Sequence, residues 1–436
     1  MTRVCPHCFG EKEFRRRIEE IRPDFPNKKC TFHPRYKGVP IKAAAEIIDP
    51  VFRSHYGIGE SYRHSDGQEG NPLDLVVAEL VESVDDEIAE VIVQQLAEDD
   101  DYWPPDGGEA FYDDIQNYVR YEPENFYHSD VWQNFCESIV HTQRFFNTDA
   151  KQLIAELFDE IHYQRDQQKQ APVYEITPGD PNSRFYRARI ADHPGKQEEI
   201  TKSPAEKLGP PPKRLRRAGR MNPSGVACFY GAFELETCIA ELRPAVGLTI
   251  VGATFELTRP VHVLDTTLFE APMRSMSLFS KKHMSRVQQW KFMSNFMHEI
   301  AKPILPSDEH LDYIPTQAVA EYLLHHHEFK IGGKPAKIEA IIYRSAQLPG
   351  GKNIVLMGEA AQVDKSVTSD KKRPKSTAFS YDFPESIASF MGERMELGNP
   401  ALRVVEQSLE TRRVSGARYV SAAQEDYMLD LEGPDF

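Results

Sequence analysis

The sequence predicts an α+β protein: a mixed domain of strands and helices, preceded by a short cysteine-bearing knuckle and a helical section. Three observations predict it. The second half interleaves strand-like alternation with helical periodicity, residues 73–96 repeat apolar side chains at helical spacing, and two close Cys/His pairs open the chain. At 436 residues the chain has room for two or three domains. The predicted boundaries are a knuckle over 1–40, a helical domain over 41–166, a mixed domain over 167–360 and a C-terminal extension over 361–436.

The knuckle is read from Cys5-Pro-His-Cys8 and Cys30-Thr-Phe-His33. Two close pairs let four soft or borderline donors converge tetrahedrally, and that donor set suits zinc. Cys5, Cys8, Cys30 and His33 are the expected ligands, with His7 as an alternative to His33. A complete four-ligand set leaves no open position, so the metal is expected to be structural. It would hold a segment too small to build a core of its own.

In the helical section, Leu73, Val76, Val77, Leu80, Val84, Ile88, Val91 and Ile92 follow helical spacing, with Ser83 and Asp86 as a capping box that restarts the helix. Val131, Phe135, Ile139 and Phe146 mark a second helix, and Leu153, Ile154, Leu157, Phe158 and Ile161 a third, capped near Thr148 and Asp149. An acidic stretch at Asp99–Asp101 and a Pro-Pro-Asp-Gly-Gly loop separate the pairs. Helical ribonucleases of the HEPN type place a histidine four to six residues after an arginine. Arg120 and His128 are too far apart for that pattern, so the section is expected to pack, position or regulate.

Composition narrows the function classes. Lys+Arg total 52 against 67 Asp+Glu, a net charge of -15, which opposes general nucleic-acid binding. No apolar run reaches membrane-spanning length and the start carries charge rather than a signal peptide, so a cytoplasmic protein is expected. Six cysteines in a chain of this size do not make a disulfide scaffold.

The mixed domain opens on a strand-like segment, Arg184–Ile190. Residues 248–257 alternate, with Val251, Ala253, Phe255 and Leu257 on one face, and 261–264, 338–343 and 353–356 are further strands. Helices are expected near 285–301 and 315–324. Lys213, Arg214, Arg216 and Arg217 form a basic run after Pro210-Pro-Pro. The run could be a nucleic-acid patch or localisation signal, but no aromatic residues are interleaved with it, so it is read as a loop, or as positive potential beside a phosphate-binding cleft. His325-His-His327 is read as surface residues at a helix end, because consecutive histidines on a helix diverge. Residues 361–380 are polar, 387–395 suit a short helix, 402–420 suit strands, and the last residues are acidic.

The most specific signal is Gly219-Arg220-Met-Asn-Pro-Ser-Gly225, running through Phe229-Tyr230-Gly-Ala to Glu236-Thr-Cys-Ile-Ala-Glu241-Leu-Arg-Pro244. With Tyr313-Ile-Pro-Thr-Gln317, Ile342-Tyr343-Arg-Ser345 and Gly350-Gly-Lys-Asn353, it resembles the RES domain family, named for its arginine, glutamate and serine. The departures are minor: Ala218 stands where glycine is common, and Met221 where an aromatic often stands. The N-terminal cysteine pairs followed by helices resemble the HEPN/RES N-terminal domain found fused to some members.

The resemblance implies an ADP-ribosyltransferase-like fold, NAD as substrate, and a toxin or defence effector that depletes NAD by hydrolysis or phosphorolysis. Carried over residue by residue, it implies Arg220, Glu241 and Ser345 as catalytic. Cleaving the nicotinamide–ribose bond develops oxocarbenium character, which a carboxylate such as Glu241 stabilises. Arg220 offers forked hydrogen bonds to a pyrophosphate, and Ser345 a hydrogen bond to the nicotinamide ribose. Ser345 as nucleophile is disfavoured for want of a histidine partner. Tyr230, Arg187, Tyr343 and Asn222 are expected around the substrate, with Tyr230 either stacking on nicotinamide or filling the core. Transfer of ADP-ribose to a macromolecule, and a non-enzymatic NAD- or partner-binding module, stay open as alternatives. An NAD consumer also calls for restraint, by an antitoxin or regulatory protein, by homo-oligomer formation, or by the fused N-terminal region.

Overall fold

The computed structural model describes residues 1–62, 67–100, 110–121, 127–302, 304–305, 307–365 and 400–416. The chain divides into two compact units. One comprises Met1–Val131, Gln167–Lys169 and Pro272–Phe292; the other comprises Trp132–Asp166, Gln170–Ala271 and Met293–Phe436.

In the first unit, Arg3–Val4 pairs antiparallel with Val39–Pro40 and so closes the N-terminal segment on itself. Helices Lys12–Ile21, Ile41–His55, Leu73–Val81 and Asp86–Asp99 share one apolar core that includes Phe14, Ile48, Phe52, Val77 and Ile92. The helical spacing read from Leu73 onward is thus the spacing of a buried face, except at Val84, which falls in the break between the helices Leu73–Val81 and Asp86–Asp99 and is 56% exposed. The restart after Val81 uses a different cap from the one expected. Glu82 takes a left-handed backbone (φ 49°), and the Asp85 side chain accepts from Glu87 N at 3.1 Å. Ser83 Oγ donates instead to the Asp85 carbonyl at 2.8 Å, so no Ser83–Asp86 capping box forms. The unit also holds a small antiparallel sheet of Tyr56–Ile58, Asn117–Arg120 and Asn71–Pro72, absent from the helical reading.

The third predicted helix is Thr148–Phe158, capped by Asn147, whose side chain accepts from Ala150 N at 2.9 Å. Phe146 does not belong to the helix before it. That helix, Tyr127–Glu137, widens into a π turn over Ser138–Thr142 and stops, leaving Phe146 in a left-handed turn (φ 56°) and 98% exposed. Its apparent period with Ile139 is therefore not a buried stripe.

The second unit is built on a mixed sheet. Its strands are β1 (Val173–Ile176), β2 (Arg184–Ala191), β3 (Cys228–Ala232), β4 (Thr249–Leu257), β5 (Val261–Asp265), β6 (Ala340–Arg344), β7 (Lys352–Met357), β8 (Leu402–Val404) and β9 (Glu410–Arg413). The spatial order is β8-β4-β2-β3-β7-β6-β5-β1, with β9 also on β4. β5 and β6 pair in parallel, and helices His283–Ala301 and Ile314–His325 fall in the chain between them. Alternation in β4 sends Val251, Ala253, Phe255 and Leu257 into one core, while Ile250 joins Ala188, Leu235 and Cys238 in another. Burying one such valine or phenylalanine contributes about 1.5–3 kcal/mol. A one-residue slip would turn all four outward, which fixes the register.

Helix Ile314–His325 ends where the histidine run begins. His325 and His326 are exposed as expected, but His327 is not. Beyond the helix the chain turns inward toward strand Phe329–Ile331, and the His327 ring lies 5.6 Å from that of Phe329. Burial lowers the His327 pKa to about 4, so the ring is neutral near pH 7. The segments predicted at 387–395 and in the acidic tail lie outside the described residues. Among the described residues, no helix is long and apolar enough to cross a membrane.

Candidate active site and metal cluster

Helix Leu235–Glu241 ends on Glu241, whose side chain is exposed and turned to the β6–β7 hairpin. Ser345, one residue beyond β6, donates its hydroxyl to Glu241 Oε1 at 2.6 Å. Asn353, second residue of β7, donates Nδ2 to the same oxygen at 2.7 Å. The Ser345 oxygen itself accepts from the backbone N–H groups of Gln347 and Leu348, both at 3.1 Å. With those two acceptances its proton is committed to Glu241. The hairpin can lie this close to the helix because position 351 is glycine. A Cβ there would meet Thr237 Oγ1 at 2.6 Å. Glu241 Oε2 has no hydrogen-bond partner among the described residues.

Arg220 lies in the loop before β3. Its backbone is held from helix Ile314–His325: Thr316 Oγ1 donates to the Arg220 carbonyl at 2.5 Å, and Gln317 Nε2 to the Gly219 carbonyl at 2.8 Å. Its guanidinium rests 5.2 Å from the Tyr313 ring and donates Nη2 to the Lys302 carbonyl at 2.8 Å. Nη1 is buried and has no hydrogen-bond partner among the described residues. Tyr343 lies buried in the fields of both charged groups. Burial raises its pKa first, the Glu241 charge raises it further, and Arg220 opposes the shift. Tyr343 is therefore a neutral phenol that senses both the carboxylate and the guanidinium.

The other expected substrate residues hold the loop and the sheet. Asn222 is buried, its Nδ2 donating to the carbonyls of Arg217, Pro223 and Val226 at 3.0–3.3 Å. Its Oδ1 accepts from Tyr230 OH at 2.7 Å, and that hydroxyl accepts from Met221 N at 2.9 Å. Burial pushes the Tyr230 pKa well up, so the hydroxyl stays protonated as this network requires. Arg187 donates Nη1 to the Tyr230 carbonyl at 3.0 Å and stands 5.0 Å from the Phe229 ring. Burial, aided by Arg189, lowers its pKa to about 10, which leaves it charged near pH 7. In the basic run, Arg216 is spent on the Pro211 and Gly225 carbonyls, whereas Lys213, Arg214 and Arg217 are exposed.

This loop carries a prediction. A Cβ on Gly219 would fall 2.8 Å from Tyr230 Oη and 2.9 Å from Asn222 Oδ1. Gly219→Ala is expected to cost about 1–3 kcal/mol of stability by breaking that hydrogen bond. Thermal melting checks it, and an unchanged melting temperature would rule out the tight packing described.

In the first unit, Cys5, Cys8 and Cys30 Sγ and His33 Nδ1 all lie within 4.8 Å of one another. The Cys5–Cys8 and Cys8–Cys30 sulfurs are 3.9 and 3.6 Å apart, and His33 Nδ1 is 3.7 Å from Cys5 and 3.3 Å from Cys8. Donors about 2.0–2.3 Å from a tetrahedral ion stand roughly 3.3–3.8 Å from each other, so the cluster can hold a metal ion. Backbone N–H groups of Cys5 and His33 point at the Cys8 and Cys30 sulfurs at 3.4 and 3.3 Å, donors that stabilise thiolates. The Cys5 thiol is pulled down to about 5, chiefly by its hydrogen bond with Cys8. His7 stands outside the cluster, exposed, its ring 3.9 Å from that of Tyr36.

Residues 184–382 match the family model described as RES domain. This stretch is a RES domain. RES domains have an ADP-ribosyltransferase-like fold, and the match associates the chain with NAD and with a toxin-like role. No curated protein and no solved structure matches the chain. Glu241, Ser345, Arg220 and Tyr343 all lie inside the RES domain, as do Thr316, Gln317 and Asn353, which sequence reasoning did not single out. Thr316 and Gln317 sit within the Tyr313–Gln317 block and Asn353 within the Gly350–Asn353 block, so their motif membership was the available signal.

Proposed function

We propose that the RES domain cleaves the nicotinamide–ribose bond of NAD, with Glu241 stabilising the charge that develops on the ribose. The observation that carries the reading is the Glu241 carboxylate, one oxygen held by Ser345 and Asn353 and the other without a partner among the described residues. In this reaction the C–N glycosidic bond breaks and its electron pair leaves with nicotinamide, neutralising the pyridinium. Water or phosphate then bonds to the anomeric carbon and gives up a proton. A fixed carboxylate beside that carbon lowers the barrier because its charge is already oriented when the cation forms.

In this reading Arg220 takes the pyrophosphate through the charge and forked donors of its guanidinium. Ser345 acts by orienting Glu241, to which its hydroxyl donates. Tyr343 lines the site, while Tyr230, Asn222 and Arg187 shape the loop that carries Arg220. Zinc is the proposed metal of the Cys5, Cys8, Cys30 and His33 cluster, where it would hold the first 40 residues together without taking part in catalysis. The predicted division at 40, 166 and 360 stands as a functional proposal, with an antitoxin or regulatory protein as the partner that restrains the RES domain.

The test is incubation of the full chain with NAD, with and without phosphate, following nicotinamide, ADP-ribose, its phosphorylated form and labelled macromolecules. Nicotinamide release with free ADP-ribose or its phosphate is expected. Label appearing only on macromolecules would replace this reading by ADP-ribosyl transfer, and no nicotinamide in any arm would leave a binding module.

A further inference from the structure

We infer that Asn353 is a positioning residue for Glu241, selecting which carboxylate oxygen is presented to substrate; the inference rests on the proposed role of Glu241. Asn353 is only 4% exposed, whereas Glu241 is an exposed residue at the last position of a helix. A glutamate there has several rotamers open to it, and one hydrogen bond from Ser345 leaves the carboxylate free to swing about that contact. The second donor removes this freedom. Asn353 Nδ2 on β7 and Ser345 Oγ just past the end of β6 meet Oε1 at 2.7 and 2.6 Å, holding that oxygen from two sides. Oε2 is left as the oxygen available for new contacts.

The backbone makes Asn353 itself rigid. It pairs with Tyr343 on β6 and with Ala232 on β3, so its Cα is held from both sides. Tyr343 on β6 and Cys238 on the helix of Glu241 each sense the Glu241 charge. Neither donates a hydrogen bond to the carboxylate among the described residues, so neither replaces Asn353.

The experiment compares the full chain with Asn353→Ala and Asn353→Ser. Alanine is expected to lower kcat for nicotinamide release by about tenfold or more, with KM for NAD and affinity for ADP-ribose within about twofold of the parent. Added formamide, which replaces the lost carboxamide, is expected to restore part of kcat. A crystal structure of the variant supplies a readout that needs no activity: the Glu241 carboxylate should turn about its Ser345 contact and take up more than the one orientation it has in the parent. Should alanine prevent folding, serine, which is polar and smaller, is read in the same ways. Wild-type kcat in the folded variant, an unmoved Glu241, or an equal loss of ADP-ribose affinity would each overturn the inference. Glu241→Gln in parallel separates the two ideas. An active Glu241→Gln protein removes the role of Glu241, whereas an inactive one beside an unaffected Asn353→Ala removes only the role of Asn353.

Discussion

Glu241→Gln is expected to lower nicotinamide release by about a thousandfold or more, while the melting temperature moves by no more than about two degrees. Glutamine has the same shape, and its carbonyl oxygen can accept from both Ser345 and Asn353 as the carboxylate does. What disappears is the negative charge opposite the developing oxocarbenium ion, an electrostatic contribution of roughly 3–4 kcal/mol or more at a preorganised site. ADP-ribose should still bind, because Arg220 and its Tyr313 and Lys302 contacts are untouched. Turnover, melting and ADP-ribose affinity measured on one preparation check all three expectations, and near-normal turnover would move the chemistry away from Glu241.

The second large effect concerns the metal. Purified protein is expected to carry about one zinc per chain, and Cys8→Ser to carry almost none. Cys8 is the informative choice because its sulfur lies 3.9 Å or less from each of the other three donors. Structural zinc in small peptides contributes an apparent 10–16 kcal/mol or so at pH 7, far above the worth of the surrounding contacts. Loss of the ion should therefore release residues 1–40, seen as rapid amide exchange at Val4, Phe9 and Phe14, which are buried in the intact protein. A metal-free chain with unaltered exchange there would show that the cluster folds without an ion.

Much of this was legible in the sequence because it depends on local period. The four inward side chains of β4, the apolar face from Leu73 to Ile92 and the two cysteine pairs are each written within a few residues. Short features with weak periods were not: Tyr56–Ile58 and Asn71–Pro72 contain glycine or proline and are too brief to alternate. Phe146 mimicked a helical face because spacing cannot register a chain that turns left-handed between two helices. His327 was misplaced because its burial depends on where the chain goes after the helix. At the candidate site, Arg220, Glu241 and Ser345 were readable from motifs, but their supports were not. Asn353 lies 112 positions from Glu241, and Gln317 lies 98 from Gly219. Contacts of that separation are created by strand order and crossover, which no local pattern encodes.

The two strands after residue 400 bear on how this protein can be cut. β8 and β9 both lie past the end of the stretch matched as a RES domain, yet they pair with β4 over Phe255–Leu257 and Thr249–Gly252. A fragment trimmed at residue 382 would bare the backbone donors and acceptors of that edge along one of the most apolar strands of the sheet. Such a row invites pairing with another chain. The smallest soluble piece of the second unit should then extend to about residue 414, where Val414 closes its backbone hydrogen bonds with Gly247 and Leu248. Shorter pieces should collect as aggregates.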